Sequence, residues 1–236
     1  MSTQPLADAH APQDAGLDMP ARLRGLYGGD ATHRRSQRPD RMAAGGLILT
    51  WEAIQPWLAE GGGIEIEVGF GLGRFLVARA AALPHSRLLG FEVQGRFCRA
   101  ANVALEAAGL TNTRIVQADA RPLVAQLPEG SVDAIHVGFP DPWWKKRHHR
   151  RRVFTPAFID AAARVLRPGG VVTLRTDVED YARDVVARFA EDGRFAHDEL
   201  PEGALPPTDR ELRCAAFSLR VHRHRFTRTL ERSTSP

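Results

Sequence analysis

Glu67 stands at the head of the run Glu67-Val68-Gly69-Phe70-Gly71-Leu72-Gly73. Glycines so spaced let backbone approach a ligand closely and leave the N–H donors of a following helix free. The spacing is Gly-x-Gly-x-Gly, not the Gly-x-Gly-x-x-Gly that cradles a pyrophosphate, and a neighbouring carboxylate would repel a pyrophosphate. It suits a cofactor that carries positive charge, and S-adenosylmethionine has such charge in its sulfonium and amino groups. Glu92, about 20 residues further on, is placed to accept from ribose hydroxyls, and Asp119 from an adenine amino group. Helix capping would also explain Asp119, and a solvated strand end Glu92. Packing does not explain Glu67, because a buried carboxylate without a partner is costly.

The second constellation is Pro140-Asp141-Pro142-Trp143-Trp144, followed by Lys145-Lys146-Arg147-His148-His149-Arg150-Arg151-Arg152. Prolines on both sides of Asp141 stiffen the turn and remove backbone donors, fixing where the carboxylate points. Two tryptophans beside six cations offer base stacking and phosphate contact together. Core tryptophans next to a solvated basic loop would be the bland account, but it leaves Pro-Asp-Pro without a packing reason. His148 and His149 suit phosphate or solvent better than a metal, and no metal is expected.

These residues need a frame that brings them to one place. Apolar β-like runs at Ile64–Val68, Leu88–Val93, Arg114–Gln117, Val132–Val137 and Val171–Arg175 alternate with helical segments at Arg74–Ala82, Gln94–Ala108, Thr155–Leu166 and Val178–Ala190. Pro168-Gly169-Gly170 ends the third of these helices. Such alternation predicts an α/β fold with a doubly wound, mostly parallel sheet. Ligands in such sheets sit at the C-terminal strand ends, near the point where strand order reverses. Both constellations fall at such ends.

The chain has 236 residues and a net charge of +4, and the charge is clumped. Arg22–Arg41 carries +4, Lys145–Arg152 +6 and Pro207–Arg232 +4, which leaves −10 on the remainder. A basic rim on an acidic body is the footprint of a polyanion binder. Two cysteines, Cys98 and Cys214, exclude a disulfide scaffold and suit a reducing cytoplasm. No apolar run is long enough to span a bilayer, and the first 20 residues lack the features of an export signal. Residues 1–20 are expected to be a disordered tail, 21–46 a basic arm and 47–236 the folded domain.

The block Pro140, Asp141, Pro142, Trp143, Lys145, His148, Arg151 and Arg152 closely resembles the hallmark of the bacterial tRNA (guanine-N7-)-methyltransferase family. Glu67 with its glycines, Glu92, Asp119 and Thr176-Asp177 fall where that family's motifs do. The resemblance covers about residues 47–232. It implies a Rossmann-like class I methyltransferase with an antiparallel C-terminal strand. S-adenosylmethionine would be bound by Glu67, Gly69, Gly71, Gly73, Glu92, Asp119 and Asp141. Lys145, Asp177, Thr208 and Glu211 would contact the target, the guanine at position 46 of a tRNA variable loop. Asp141 would be the catalytic acid. Thr208-Asp209-Arg210-Glu211 departs from the family pattern, which has an aromatic before the glutamate.

Guanine N7 presents an in-plane lone pair, so no proton need leave before it attacks. Catalysis then reduces to positioning and to carboxylates on the guanine N1–H and amino edge that stabilise the developing cation. Asp141, Asp177 and Glu211 are the candidates. The competing readings are a methyltransferase on a small molecule or protein, which would need no basic rim, and a non-catalytic tRNA-binding subunit on the same fold. A nicotinamide dehydrogenase conflicts with Glu67 and the glycine spacing. Oligomeric state is not legible in these residues.

Overall fold

The computed structural model describes residues 48–60 and 62–229; the expected tail at 1–20 and arm at 21–46 lie outside them. Strands β1 (Ile48–Leu49), β2 (Ile64–Val68), β3 (Arg87–Phe91), β4 (Thr113–Val116), β5 (Val132–Gly138), β6 (Leu166–Thr176), β7 (Phe195–Glu199) and β8 (His222–Arg228) form one sheet. Their order is β1-β4-β3-β2-β5-β6-β8-β7. β1 to β6 pair parallel, and β8 runs antiparallel to both β6 and β7. The antiparallel strand is therefore the C-terminal one, as expected, but it is inserted between two earlier strands.

Helices α1 (Trp51–Leu58), α4 (Ala120–Val124), α5 (Pro156–Val165) and α6 (Glu179–Asp192) contribute to the larger apolar cluster, with Ile64, Ile66, Val68, Ile135, Val172 and Phe226 from the strands. Helices α2 (Arg74–Ala82) and α3 (Gly95–Ala107) pack with Leu88 and Ile115 in a second cluster. α7 (Asp209–Ala216) precedes β8. Helices on two faces of a largely parallel sheet make the fold doubly wound.

β2 explains how the two faces differ. Its sequence Ile-Glu-Ile-Glu-Val alternates with the period of a strand, yet all five residues are buried. Ile64, Ile66 and Val68 enter the larger cluster, so Glu65 and Glu67 must point the other way. Register carries that polar face across the sheet: Glu67 lies opposite His136, His136 opposite Thr173, and Arg175 opposite Arg223.

Sequence boundaries differ from observed ones where a local signal was absent. Leu88–Val93 ends two residues earlier, at Phe91, so Glu92 lies just past the strand. α5 stops at Val165 ahead of Pro168, with Thr155 as its N-cap and Pro156 in its first turn. β6 begins at Leu166, and its pairing with β5 shifts register across the exposed residues 167–169 and the buried Gly170. Short α1, α4, β1 and β7 went unread, since elements of two to eight residues carry little periodicity.

Candidate functional site

Strand order reverses between β2 and β5, and an open cleft of about 630 Å³ lies at their C-terminal ends. Its lining includes Gly69 and Gly71 after β2, Glu92 after β3, Asp119 after β4 and Asp141 after β5, with Trp143 and Arg151 also in the wall. Residues from four strand ends and from the basic segment thus meet in one cavity.

The glycine run does two separate jobs. Gly69 (φ +73) and Gly71 (φ +58) have left-handed backbone and open space where a Cβ would be, so they leave room for a ligand against the main chain. Gly73 (φ +82) is different: a Cβ there would lie 2.6 Å from that of Ala101. It lets α2 sit tightly on α3. Gly90 was not singled out from the sequence, yet its missing side chain admits Leu76 and Phe70, whose atoms lie 2.7 and 2.8 Å from an added Cβ.

Glu67 is 3% exposed and sits beneath the glycines rather than in the cleft wall. Its carboxyl is hydrogen-bonded by the Leu76 N–H in the first turn of α2, a turn whose N-cap, Gly73, has no side chain to do so. The other oxygen, Oε2, has no hydrogen-bond partner. Burial pushes this carboxyl up to about 8, and the Arg175 guanidinium only partly offsets that. A cation placed nearby would stabilise its ionised form.

Glu92 accepts from Gly71 N–H at 3.1 Å and from Gln94 N–H at 2.9 Å, which ties the glycine turn to the end of β3. Asp119 caps α4 through the Arg121 N–H at 3.0 Å. It is also gripped by the Arg121 guanidinium, which holds it below the usual carboxylate range. Capping therefore accounts for part of Asp119, and its carboxylate still faces the cleft.

Asp141 is exposed in the cleft wall, and no hydrogen bond to its carboxylate is found among the described residues. Phe139 (φ 51) and Trp143 (φ 44) flank the Pro140–Pro142 turn in left-handed conformations. Such backbone costs about 1–3 kcal/mol per residue and persists only where surroundings enforce it. Phe139 N–H donates to Arg175 O at 2.6 Å, and Arg152 Nε to Pro142 O at 2.7 Å. The turn is stiffened as the prolines predict.

The remaining predicted residues lie outside this cavity. Lys145 is exposed at the start of a 3-10 helix, Lys146–Arg151. Asp177 pairs with Arg210. Thr208 caps α7 by accepting from Glu211 N–H at 3.0 Å, and its methyl would lie 3.3 Å from a Cβ on Gly138. Glu211 accepts from Arg175 at 2.9 Å and from Arg223 at 2.9 Å. Of the three carboxylates expected on a guanine edge, Asp141 alone has no arginine partner among the described residues. Arg152 is likewise committed, to Asp184 at 3.0 Å, whereas the cations from Lys145 to Arg151 have no carboxylate partner among the described residues.

Beneath the site runs a buried polar chain that went unread from the sequence. Arg79 donates twice to Glu65 at 2.8 Å, and His136 Nε2 is 3.1 Å from the same carboxylate, with Nδ1 2.9 Å from Thr173 Oγ1. Burial lowers the His136 pKa, so the ring is neutral, donating from Nε2 and accepting the Thr173 hydroxyl. Burial alone would raise Glu65, but hydrogen bonds from His136 and Arg79 leave it at about 2. Glutamates at alternate positions of an apolar strand were the available signal.

Residues 62–223 match the family model described as "Putative methyltransferase". The tRNA (guanine-N(7)-)-methyltransferase of Halorhodospira halophila is 42% identical over 143 residues, 60% of this chain and 62% of that protein. The protein of the same name from Synechococcus elongatus is 35% identical over 191 residues, 77% of this chain and 90% of that one. Among solved structures, the 16S rRNA methyltransferase KamB matches with a TM-score of 0.54 at 20% identity, over 76% of this chain and 93% of that chain. The last likeness bears on the fold alone.

Proposed function

The chain belongs to the tRNA (guanine-N7-)-methyltransferase family, and from that premise we propose that it transfers a methyl group from S-adenosylmethionine to N7 of a guanine in a tRNA variable loop, in the cytoplasm. One observation carries the reading. A single cleft is walled by Glu92, Asp119 and Asp141 and also by Trp143 and Arg151, so acceptors for a nucleoside and groups for RNA share one mouth.

The donor suits these residues. The open, left-handed Gly69 and Gly71 leave space against the backbone, and the unpartnered Glu67 Oε2 beneath them favours a nearby cation. Gly69, Gly71, Glu92 and Asp119 would hold it, with Glu67 below and Asp141 at the far wall. When bound, it supplies an electrophilic methyl group on a sulfonium. Asp141 accepts from the N1–H and amino group of guanine and stabilises positive charge growing on the ring, while the rigid Pro-Asp-Pro turn holds it in place without further reorganisation. Trp143 offers a face for the base, and Lys145, Lys146, Arg147 and Arg150 meet phosphates. Thr208 sets α7 against Gly138, Glu211 anchors that helix through Arg175 and Arg223, and Asp177 stands at the adjoining strand end. A small-molecule acceptor would leave the basic segment without a role.

The decisive experiment incubates the protein with methyl-tritiated donor and a tRNA transcript, then treats the RNA with borohydride and aniline. Strand cleavage at one variable-loop guanine supports the reading. Transcripts left unlabelled and uncleaved would reject it.

A further inference from the structure

Phe217 is 75% exposed, more than any other large apolar side chain among the described residues. The end of α7 holds it out. Ser218 adopts a left-handed φ of 53°, Leu219 N–H donates back to Cys214 O at 2.8 Å, and Ser218 N–H to Ala215 O at 3.1 Å. This paired closure normally uses glycine at the left-handed position. A serine there costs about 1–2 kcal/mol, so the turn is held by its capping bonds rather than by intrinsic preference.

Direction follows from helix geometry. At 3.6 residues per turn, positions 210, 214 and 217 share one side of α7. Arg210 pairs with Asp177, and Cys214 Sγ lies 3.9 Å from Asp177 Oδ2. Phe217 therefore emerges on the Asp177 side, beyond both contacts. At the other end of the helix Thr208 abuts Gly138 in the cleft wall. Eight residues span about 12 Å, which puts the ring within reach of nucleotides next to a base held in the cleft. Leu212 and Leu219 line a groove with Leu205 and Val221, and Arg220 is also in its wall.

Charge identifies the occupant. Arg213 and Arg220 are exposed, with no carboxylate partner among the described residues. The acids nearby are paired elsewhere: Asp209 with Arg74, Asp177 with Arg210, Glu211 with Arg175 and Arg223, and Glu202 with Arg223. A bare aromatic ring with an exposed arginine four residues before it on α7 and another three residues after it matches a nucleobase flanked by phosphates. We propose that Phe217, with Arg213 and Arg220, is a stacking platform for an unpaired base of the RNA substrate beside the target nucleotide. This rests on RNA being the substrate.

The test compares wild type with Phe217→Ala, Phe217→Trp and the pair Arg213→Ala/Arg220→Ala. Binding of a tRNA transcript is followed by anisotropy over a salt series, with S-adenosylhomocysteine titrated by calorimetry to check the fold. Phe217→Ala should weaken tRNA binding about tenfold at unchanged salt slope. Phe217→Trp should restore it, and the arginine pair should flatten the slope by roughly 0.7 per contact. Wild-type tRNA affinity in Phe217→Ala overturns the platform, as does a variant that only turns a dimer into a monomer in sedimentation. Wild-type protein that binds no tRNA rejects the underlying reading instead, before any variant is compared.

Discussion

Arg121 grips Asp119 through Nε, 3.0 and 3.1 Å from its two carboxylate oxygens, while its Nη1 donates to Arg150 O at 2.8 Å. One side chain thus ties an acid of the cleft to the backbone of the basic 3-10 helix. Arg121→Met should loosen that helix, so amide exchange across Lys146–Arg151 quickens and the KM for tRNA rises several-fold. Removing partly exposed charged hydrogen bonds of this kind costs about 1 kcal/mol. Arg121→Lys should not rescue, because a point charge cannot replace the planar fork. Unchanged exchange and unchanged KM would refute the link.

Asp141 is the exposed carboxylate of a stiff turn, so its replacement should spare the fold and injure the chemistry. Asp141→Asn should lower kcat roughly 10²–10³-fold with an unchanged melting curve. Turnover at the wild-type rate would remove Asp141 from the mechanism.

The two glutamates of β2 should imprint opposite pH dependences on stability. Glu67 titrates near 8 in the folded protein against an ordinary value of 4.5. Between those limits the folded chain holds a proton that the unfolded chain has released, so stability falls as pH rises. Glu67→Gln should match wild type near pH 5 and exceed it by about 1–3 kcal/mol at pH 9. Glu65, held at about 2, contributes stability that is full above pH 4.5 and lost as pH falls toward 2. Glu65→Gln should cost about 3–5 kcal/mol at pH 7, with the gap to wild type closing in acid. Urea titrations at several pH values read both slopes.

Salt dependence separates the arginines of the basic segment by what they touch. Alanine at Lys146 or Arg150 should reduce the slope of log K for tRNA against log salt by about 0.7–0.9 each. Arg152→Ala should leave that slope alone and lower the melting temperature, because its guanidinium holds Asp184 and Pro142 O. A slope change in Arg152→Ala equal to that of its neighbours would contradict the division.

The glycines of the run should fail in different ways. Gly71→Ala has open space and strained φ, so stability drops by about 1–2 kcal/mol while donor affinity falls further. Gly73→Ala meets Ala101 at 2.6 Å and should destabilise more, with donor binding reduced mainly through loss of folded protein. Calorimetric titration beside thermal melts distinguishes the two.

Much of this site was legible without coordinates, because its information is local. A carboxylate ahead of spaced glycines, acids at successive strand ends and Pro-Asp-Pro beside tryptophan and cations are all short runs, and strand–helix alternation places them at one edge of a parallel sheet. What tertiary structure alone decided are pairings between distant positions. Arg175 meets Glu211 across 36 residues, Arg121 reaches Arg150 across 29, and Arg152 finds Asp184 across 32. The insertion of β8 between β6 and β7 sets Arg223 opposite Arg175 and makes these arginines structural. Composition counts every arginine as the same positive charge. Only the folded chain shows which ones have already found a carboxylate, and which still face the solvent where a phosphate can bind.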